Sequence, residues 1–244
     1  MSAVLRWVLF LIAAFLALQL FFAARIGLMA VVNPQSSAFE RSEAWRLVTE
    51  KGDLRWRQQW VDYDDISDHL KRAVIASEDD GFLFHDGVEW DAVEKAWERN
   101  AKTQSVNDAR EQARKKPSGR TPKIIGGSTI TQQLAKNLFL SGERTFLRKG
   151  QEFLLTSMLE IMLSKERILE IYLNNVEWGE GVFGAEAAAQ SYFKKPAAKL
   201  APIEAARLAV MLPRPKYFEK LPNSPYVAAR AAAIAGRMSS AELP

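Results

Sequence analysis

Three clusters in this sequence combine side-chain types and spacings that could do chemistry. The first, residues 78–87, reads Glu-Asp-Asp-Gly-Phe-Leu-Phe-His-Asp-Gly and follows a run with helical periodicity. A carboxylate at the C-terminal end of a helix meets the negative pole of the helix dipole, and aromatic neighbours add desolvation, so both effects raise its pKa. Such a carboxylate suits a general base or acid near neutral pH. The alternative is a solvated turn in which Phe82 and Phe84 pack.

The second cluster, residues 126–137, reads Gly-Gly-Ser-Thr-Ile-Thr-Gln-Gln-Leu-Ala-Lys-Asn. We predict that a helix begins here with Ser128 as its N-cap and runs to about Leu140. Backbone amides at the helix start, three hydroxyl side chains and Lys136 would together form a cradle for an anion. The cluster is not a P-loop, because Gly-x-x-x-x-Gly-Lys-Ser/Thr is absent. The alternative is an ordinary capped helix.

The third cluster is Arg148-Lys149-Gly150-Gln151-Glu152. Lys149 and Glu152 share a helical face, and by themselves they would be a surface ion pair. Together the clusters offer one carboxylate at a turn, one on a helix, and cations with a helix N-terminus between them. Transfer from a phosphorylated donor requires this set, because the acceptor needs a base and the leaving pyrophosphate needs positive charge.

The elements that must position these clusters are predicted to be mainly α-helical. Apolar residues at helical spacing predict helices around residues 66–78, 90–97, 128–140, 146–163, 185–193, 203–212 and 226–238. A further helix is predicted to begin after its cap at Ser164 and to be broken by Gly179, Gly181 and Gly184. Strand signals are weak, and only residues 54–60 alternate enough for a short extended segment. Residues 100–123 are polar and basic, which predicts a mobile loop; a sharper interpretation has this loop close over an anionic ligand.

The N-terminus is predicted to be a membrane anchor. Residues 7–24, between Arg6 and Arg25, contain Gln19 as their only clearly polar member, and as a helix they would span roughly 27 Å. The short basic tail ahead of them predicts that the N-terminus is cytoplasmic. A cleaved signal peptide is the alternative, although no clear Ala-x-Ala site precedes Asn33.

Composition excludes several classes of protein. The 244 residues include no cysteine, which excludes a disulfide scaffold, a cysteine zinc site and a catalytic thiol. Lys and Arg number 33 against 29 Asp and Glu, an excess too small to predict a nucleic-acid partner. With 48% hydrophobic residues, the chain has enough apolar material for a folded domain.

The clusters, in this order, closely resemble the peptidoglycan glycosyltransferases of family 51: the glycosyltransferase domains of class A penicillin-binding proteins and their monofunctional relatives. The family pattern Glu-Asp-x-x-Phe-x-x-His-x-Gly-x-Asp matches residues 78–89, except that position 89 is Glu89. Residues 126–137 match throughout, and Arg-Lys-x-x-Glu matches 148–152. Ile-Leu-Glu-x-Tyr-Leu-Asn matches 168–174, and a fifth element matches 184–195. The long basic segment 100–123 is a departure from the family.

The resemblance implies a lysozyme-like, two-lobed helical domain that polymerises lipid II with inversion, forming a β-1,4 bond and releasing undecaprenyl pyrophosphate. Glu78 would be the base and Glu152 the donor-side carboxylate, acting directly or through a divalent cation (Mg²⁺ or Mn²⁺), with no obligatory cofactor. The remaining roles are substrate binding for Ser128, Thr129, Gln132, Gln133, Lys136, Asn137, Arg148 and Lys149, and support for Asp79, Phe82, His85, Gly87, Glu170 and Asn174.

The resemblance also implies an organisation and a location. We expect an anchor over residues 1–32, a connector over 33–64 and the glycosyltransferase domain over 65–244, of the monofunctional type because no transpeptidase domain follows. The chain would be a single-pass protein of a bacterial inner membrane with a periplasmic catalytic domain. Its expected partners are lipid II, the nascent glycan, the bilayer and other cell-wall synthases. An apolar patch with Trp90 and Trp97 would admit the lipid, unless both pack into the core.

Two alternatives remain open at this point. A lysozyme-like lytic enzyme also uses a catalytic Glu in a helical domain, but it acts on a neutral glycosidic bond and has no need for Lys136, Arg148 and Lys149. An inactive membrane-anchored scaffold would have no need for the motif residues, all of which are present. Product analysis would separate the three: longer glycan, shorter glycan or no change.

Overall fold

The computed structural model describes residues 2–90, 94, 98, 127–140 and 145–244, and within them the chain is mainly helical, as predicted. The helices are α1 (Ala3–Leu28), α2 (Ala38–Arg46), α3 (Asp68–Glu78), α4 (Ile130–Phe139), α5 (Phe146–Met162), α6 (Lys165–Asn175), α7 (Ala185–Phe193), α8 (Pro202–Met211), α9 (Pro215–Phe218) and α10 (Pro225–Ala235). A π-helical turn, Leu47–Lys51, follows α2. The predicted basic segment 100–123 and Trp97 lie outside the described residues.

Helix α1 is long and apolar enough to cross a membrane, with a mean hydropathy of 2.4 in its most apolar window. Ser2 caps its N-terminus by accepting a hydrogen bond from the Leu5 backbone amide. Most of its side chains are exposed, whereas Ile26 near its C-terminal end is fully buried. The pattern fits a helix that lies in lipid over most of its length and docks on the rest of the protein at its end.

The remaining helices pack in two groups around a core of buried apolar residues. Helix α3 packs against α8 and α10, while α4 packs against α5 and α6. The groups meet where α3 ends at Glu78, whose carboxylate contacts Gln133 on α4. This arrangement places the candidate base of the first motif at the junction of two lobes.

A small sheet closes one side of the molecule. Its strands are β1 (Arg57–Gln58), β2 (Glu177–Gly179) and β3 (Val182–Phe183), in the order β1-β3-β2, with β1 parallel and β2 antiparallel to β3. Gly181 forms the turn between β2 and β3 with a φ of +70°, and a Cβ there would lie 1.8 Å from the backbone oxygen of Arg55. Only glycine fits this turn.

The predictions for three aromatic side chains, Phe82, Phe84 and Trp90, can now be compared with the fold. Phe82 is fully buried, whereas Phe84 is exposed. Trp90 is 67% exposed and its ring stacks on Phe153 at 6.2 Å between centroids. The alternative that placed Trp90 in the core is therefore wrong, because its ring covers a helix surface from outside.

Candidate active site

Glu78 is the last residue of α3, and its carboxylate is half-buried between the two lobes. Gln133 Nε2 donates a hydrogen bond to its Oε2 at 3.1 Å, and Ser77 Oγ donates to its Oε1 at 3.2 Å. Burial raises the pKa of Glu78, and the neighbouring Asp79 charge adds to the rise, while the two hydrogen bonds oppose it. A carboxylate in this environment can hold a proton closer to neutral pH than an exposed one.

Gln133 is held in one orientation by a tyrosine. The Tyr172 hydroxyl donates to Gln133 Oε1 at 3.0 Å, which leaves Gln133 Nε2 directed at Glu78. Burial, together with the charges of Glu78 and Asp79, raises the pKa of Tyr172 well above its usual value, so the hydroxyl keeps its proton. In the sequence Tyr172 is part of the motif at residues 168–174 and was given no role; the available signal was its hydroxyl in an otherwise apolar helical run.

Asp79 ties the first motif to the start of α4. Its Oδ2 accepts from the Ile130 backbone amide at 2.9 Å, and its Oδ1 lies 2.8 Å from His85 Nε2. The Gly87 amide donates to His85 Nδ1 at 3.0 Å. Because Nδ1 accepts, Nε2 carries the hydrogen in neutral His85 and donates it to Asp79. A buried network of this kind fixes the turn that follows Glu78.

The start of α4 is capped by Thr129, one residue later than predicted. Thr129 Oγ1 accepts from the Gln132 amide, and the Gln132 side chain accepts from the Thr129 amide, which is a capping box. The same hydroxyl donates to the Gly87 carbonyl at 2.6 Å. Ser128, the predicted cap, is exposed. Serine and threonine are both favoured N-caps, with serine somewhat ahead, and the bond to Gly87 is the tertiary contact that favours Thr129 here.

The third motif lies on α5, which packs against α4. Glu152 is only 4% exposed and pairs with Arg148 Nη1 at 2.9 Å and with Lys149 Nζ. Within the described residues, Arg148 Nε is buried and has no hydrogen-bond partner. A buried guanidinium nitrogen without a partner is unfavourable unless a ligand supplies an acceptor, so this point suits an anion.

The residues around Glu152 do not fit a resident divalent cation. Both carboxylate oxygens contact cationic side chains. Among the described residues no group of three or more His, Cys, Asp or Glu side chains could hold a metal. A divalent ion shared with a substrate pyrophosphate would need a free carboxylate oxygen, and both oxygens of Glu152 are already paired with Arg148 and Lys149.

Two residues that the sequence did not single out complete the support beneath the site. Lys165 Nζ donates to the His85 carbonyl at 2.6 Å and to Glu160 Oε1 at 2.9 Å, and it lies 4.7 Å from the centre of the Phe82 ring. Glu160 Oε1 also accepts from Thr131 Oγ1 at 2.6 Å. Glu160 interrupts an otherwise apolar helical run in the sequence, and that interruption was the signal.

The remaining predicted residues lie on α4 and α6. Lys136 is exposed and Asn137 half-buried on α4. Glu170 is buried and pairs with Arg167 Nη1 at 2.8 Å. Asn174 is fully buried and exchanges two hydrogen bonds of 2.9 Å with the Val61 backbone, which fastens the segment before α3 to α6.

The two-lobed helical domain, with a half-buried carboxylate at the lobe junction and a cationic cluster on the adjacent helix, fits the lysozyme-like class of glycosyl-transferring enzymes. The chain belongs to the transglycosylase family, whose model, described as "Transglycosylase", matches residues 46–239. This match spans the four motifs that build the site and the fifth at residues 184–195.

Curated relatives resemble nearly the whole chain. A protein of Paraburkholderia xenovorans LB400 is 52% identical over 243 residues, which cover 98% of this chain and 94% of the relative. Proteins of Burkholderia thailandensis E264 and Burkholderia pseudomallei K96243 are 54% and 51% identical, over 95% and 99% of this chain and 84% and 89% of the relatives. All three are named biosynthetic peptidoglycan transglycosylase.

Proposed function

We propose that this protein is a membrane-anchored peptidoglycan glycosyltransferase that polymerises lipid II. The observation that carries the proposal is the pairing of a half-buried carboxylate, Glu78, with a cationic cluster on the neighbouring helix. In that cluster Arg148 Nε is buried and has no hydrogen-bond partner among the described residues. The names of the relatives, which cover nearly the full chain, support the same activity.

On the acceptor side, Glu78 takes the proton of the acceptor 4-hydroxyl as its oxygen attacks the anomeric carbon of the donor. The C–O bond to the pyrophosphate breaks as the new bond forms, so the configuration inverts and no covalent sugar–enzyme intermediate is needed. The buried position of Glu78 raises its basicity. Gln133 orients the carboxylate, and Asp79, Phe82, His85 and Gly87 support the turn that carries it.

On the donor side, Arg148, Lys149 and Lys136 neutralise the departing undecaprenyl pyrophosphate, and Glu152 orients the first two of these cations. Ser128, Thr129, Gln132, Gln133 and Asn137 form the wall that faces the donor. Thr129 and Gln132 are buried in the capping box, so their contribution comes mainly from presenting the backbone amides at the start of α4. Glu170 and Asn174 hold α6 behind this wall.

Helix α1, long and apolar enough to cross a membrane, supports the membrane arrangement that we propose. Residues 1–32 anchor the chain in the inner membrane as a single span with a cytoplasmic N-terminus, residues 33–64 connect, and residues 65–244 form the catalytic domain in the periplasm. Lipid II and the lipid-linked glycan lie in the same bilayer, so the anchor confines enzyme and substrates to two dimensions and raises their effective concentration. Other cell-wall synthases in that membrane are expected partners.

Product analysis tests the proposal. The purified protein, in detergent or proteoliposomes, is incubated separately with fluorescent lipid II and with preformed glycan strands, and the products are separated on a gel. We expect a ladder of longer glycans from lipid II and no shortening of preformed strands. Shortened strands would favour a lytic enzyme, and unchanged lipid II with folded protein would favour a scaffold.

A further inference from the structure

The single polar side chain of the apolar span has a partner on the catalytic domain. Gln19 Nε2 donates to Gln151 Oε1 at 3.1 Å, and Gln151 Nε2 donates back to Gln19 Oε1 at 3.0 Å. In lipid an amide without a partner is unfavourable, because no water replaces the missing hydrogen bonds. The two glutamines satisfy each other across α1 and α5, so the pair specifies how the two helices meet.

The contact continues along one face of α1 toward its C-terminal end. The Phe22 ring packs edge-on against Phe139 of α4 at 5.4 Å between centroids, and the Arg25 guanidinium lies 5.3 Å from the same ring centre. Ile26 is fully buried. Positions 19, 22 and 26 share a helical face, which the helix period requires of a docked surface. The outer end of the anchor is thus packed on the catalytic domain.

Gln151 lies beside the cationic cluster on α5, so the contact with the anchor is next to the candidate donor site. It immediately precedes Glu152 and lies less than one helical turn after Arg148 and Lys149. Gln19 lies six residues before Arg25, about 9 Å along the helix axis, so the amide pair lies within the apolar segment. Any tilt of α1 that pulls on Gln151 moves the turn of α5 that carries the cationic cluster.

We propose that the Gln19–Gln151 pair docks the anchor on α5 and thereby positions Arg148, Lys149 and Glu152 at the depth of the lipid-linked pyrophosphate. Gln19 and Gln151 are positioning residues, because they act through their neighbours and do not contact the reacting atoms. The inference rests on the proposed function for the identity of the substrate, whereas the docking itself can be tested without activity.

Cross-linking tests the docking. Because the chain contains no cysteine, Gln19→Cys with Gln151→Cys introduces the only thiols, and a short bismaleimide is added to proteoliposomes. The matched control is Leu20→Cys with Gln151→Cys, since Leu20 is exposed and rotated by about 100° on the same helix. We expect an intramolecular cross-link in the first variant only, and a cross-linked enzyme that retains activity. Equal cross-linking in both, none in either, or an inactive cross-linked enzyme would overturn the proposal.

A double-mutant cycle tests the positioning. Gln19→Leu and Gln151→Leu each leave one amide unpaired, so each should raise the KM for lipid II about threefold to tenfold with kcat within about twofold. The double variant leaves no amide unpaired, so its KM should be no higher than that of either single variant. Gln190→Leu, which removes an amide that donates to Glu186 on its own helix, should leave KM unchanged.

The outcomes distinguish a failure of the positioning role from a failure of the proposed function. A KM in the double variant equal to the product of the single effects, or single variants with wild-type KM, would overturn the positioning role in an active enzyme. An inactive wild type that still cross-links selectively would overturn the proposed function, and the donor-positioning role with it, while the anchor contact would stand.

Discussion

Tyr172 controls the base only through Gln133, and removing its hydroxyl isolates that effect. In Tyr172→Phe, Gln133 Oε1 loses the donor at 3.0 Å that holds the amide, and Gln133 Nε2 no longer stays directed at Glu78. Because that hydrogen bond lowers the pKa of Glu78, its loss lets the pKa rise further. Glu78 must be ionised to act as a base. As the pH is lowered, the variant should therefore lose activity at a higher pH than the wild type.

The size of the effect follows from the hydrogen bond that is weakened. A hydrogen bond to a charged group contributes about 1.5–3 kcal/mol, and 1.36 kcal/mol corresponds to one pH unit. If the substitution loses half of that contribution, the acidic limb of the kcat/KM profile should move up by about 0.5–1 pH unit. The rate well above the limb should remain close to that of the wild type.

Steady-state rates of lipid II consumption between pH 5 and 9, a window set around the usual range of perturbed carboxylates, would measure the shift. Tyr192→Phe is the matched control, because it removes a hydroxyl that donates to the Trp178 carbonyl at 2.8 Å away from the lobe junction. Both variants should lose a similar amount of thermal stability. An unmoved acidic limb in folded Tyr172→Phe, or an equal movement in Tyr192→Phe, would refute the reasoning.

Two further predictions concern stability. Gly181→Ala should destabilise the fold by more than about 3 kcal/mol, because its φ is +70° and the new Cβ would meet the Arg55 carbonyl oxygen. Gly150→Ala is the control in a helix, where a Cβ would meet nothing within 4 Å among the described residues, and it should stabilise the fold by about 0.5–1 kcal/mol. Similar melting temperatures for the two variants would contradict this. Burial raises the pKa of Glu177 to about 7; the folded state therefore binds its proton more tightly than the unfolded state, and stability falls as pH rises from the unfolded pKa toward 7. In Glu177→Gln the free energy of unfolding should fall less between pH 5 and pH 8, by up to about 3 kcal/mol. If the melting temperatures of the variant and the wild type fall by the same amount between these pH values, this prediction is wrong.

The sequence predicted the elements that carry the site better than the contacts between them. Helix ends are marked locally: Ser164 is the N-cap of α6, and Pro202 is the first residue of α8. The cap of α4 was misplaced by one residue because the local preference for serine points to Ser128, whereas Thr129 gains a hydrogen bond to the Gly87 carbonyl. Local patterns carry no information about such a partner, which lies 42 residues earlier in the chain.

The contacts that tune the site were harder to predict for the same reason. Tyr172 and Gln133 are 39 residues apart, and Lys165 reaches the His85 carbonyl across 80 residues. Each looks like an ordinary helical residue until the lobes pack. The strands were also weakly predicted, because β1 and β3 each have only two residues, too few for a period of two to be recognised.

The pairing of Gln19 with Gln151 shows a partial success of the same kind. The sequence marked Gln19 as the only clearly polar residue of the span, and an amide in lipid requires a partner. Which partner satisfies it depends on how α1 docks on α5, 132 residues later in the chain.

The rate of lipid II polymerisation by Glu78→Gln tests the central claim most directly. Glutamine keeps the size and one hydrogen-bond acceptor of the side chain but cannot take the acceptor proton, so kcat should fall by a factor of about 10²–10⁴. Glu166→Gln, which changes an exposed carboxylate on α6, should retain wild-type activity. A folded Glu78→Gln protein that polymerises lipid II within about threefold of the wild-type rate would contradict the assignment of Glu78 as the base.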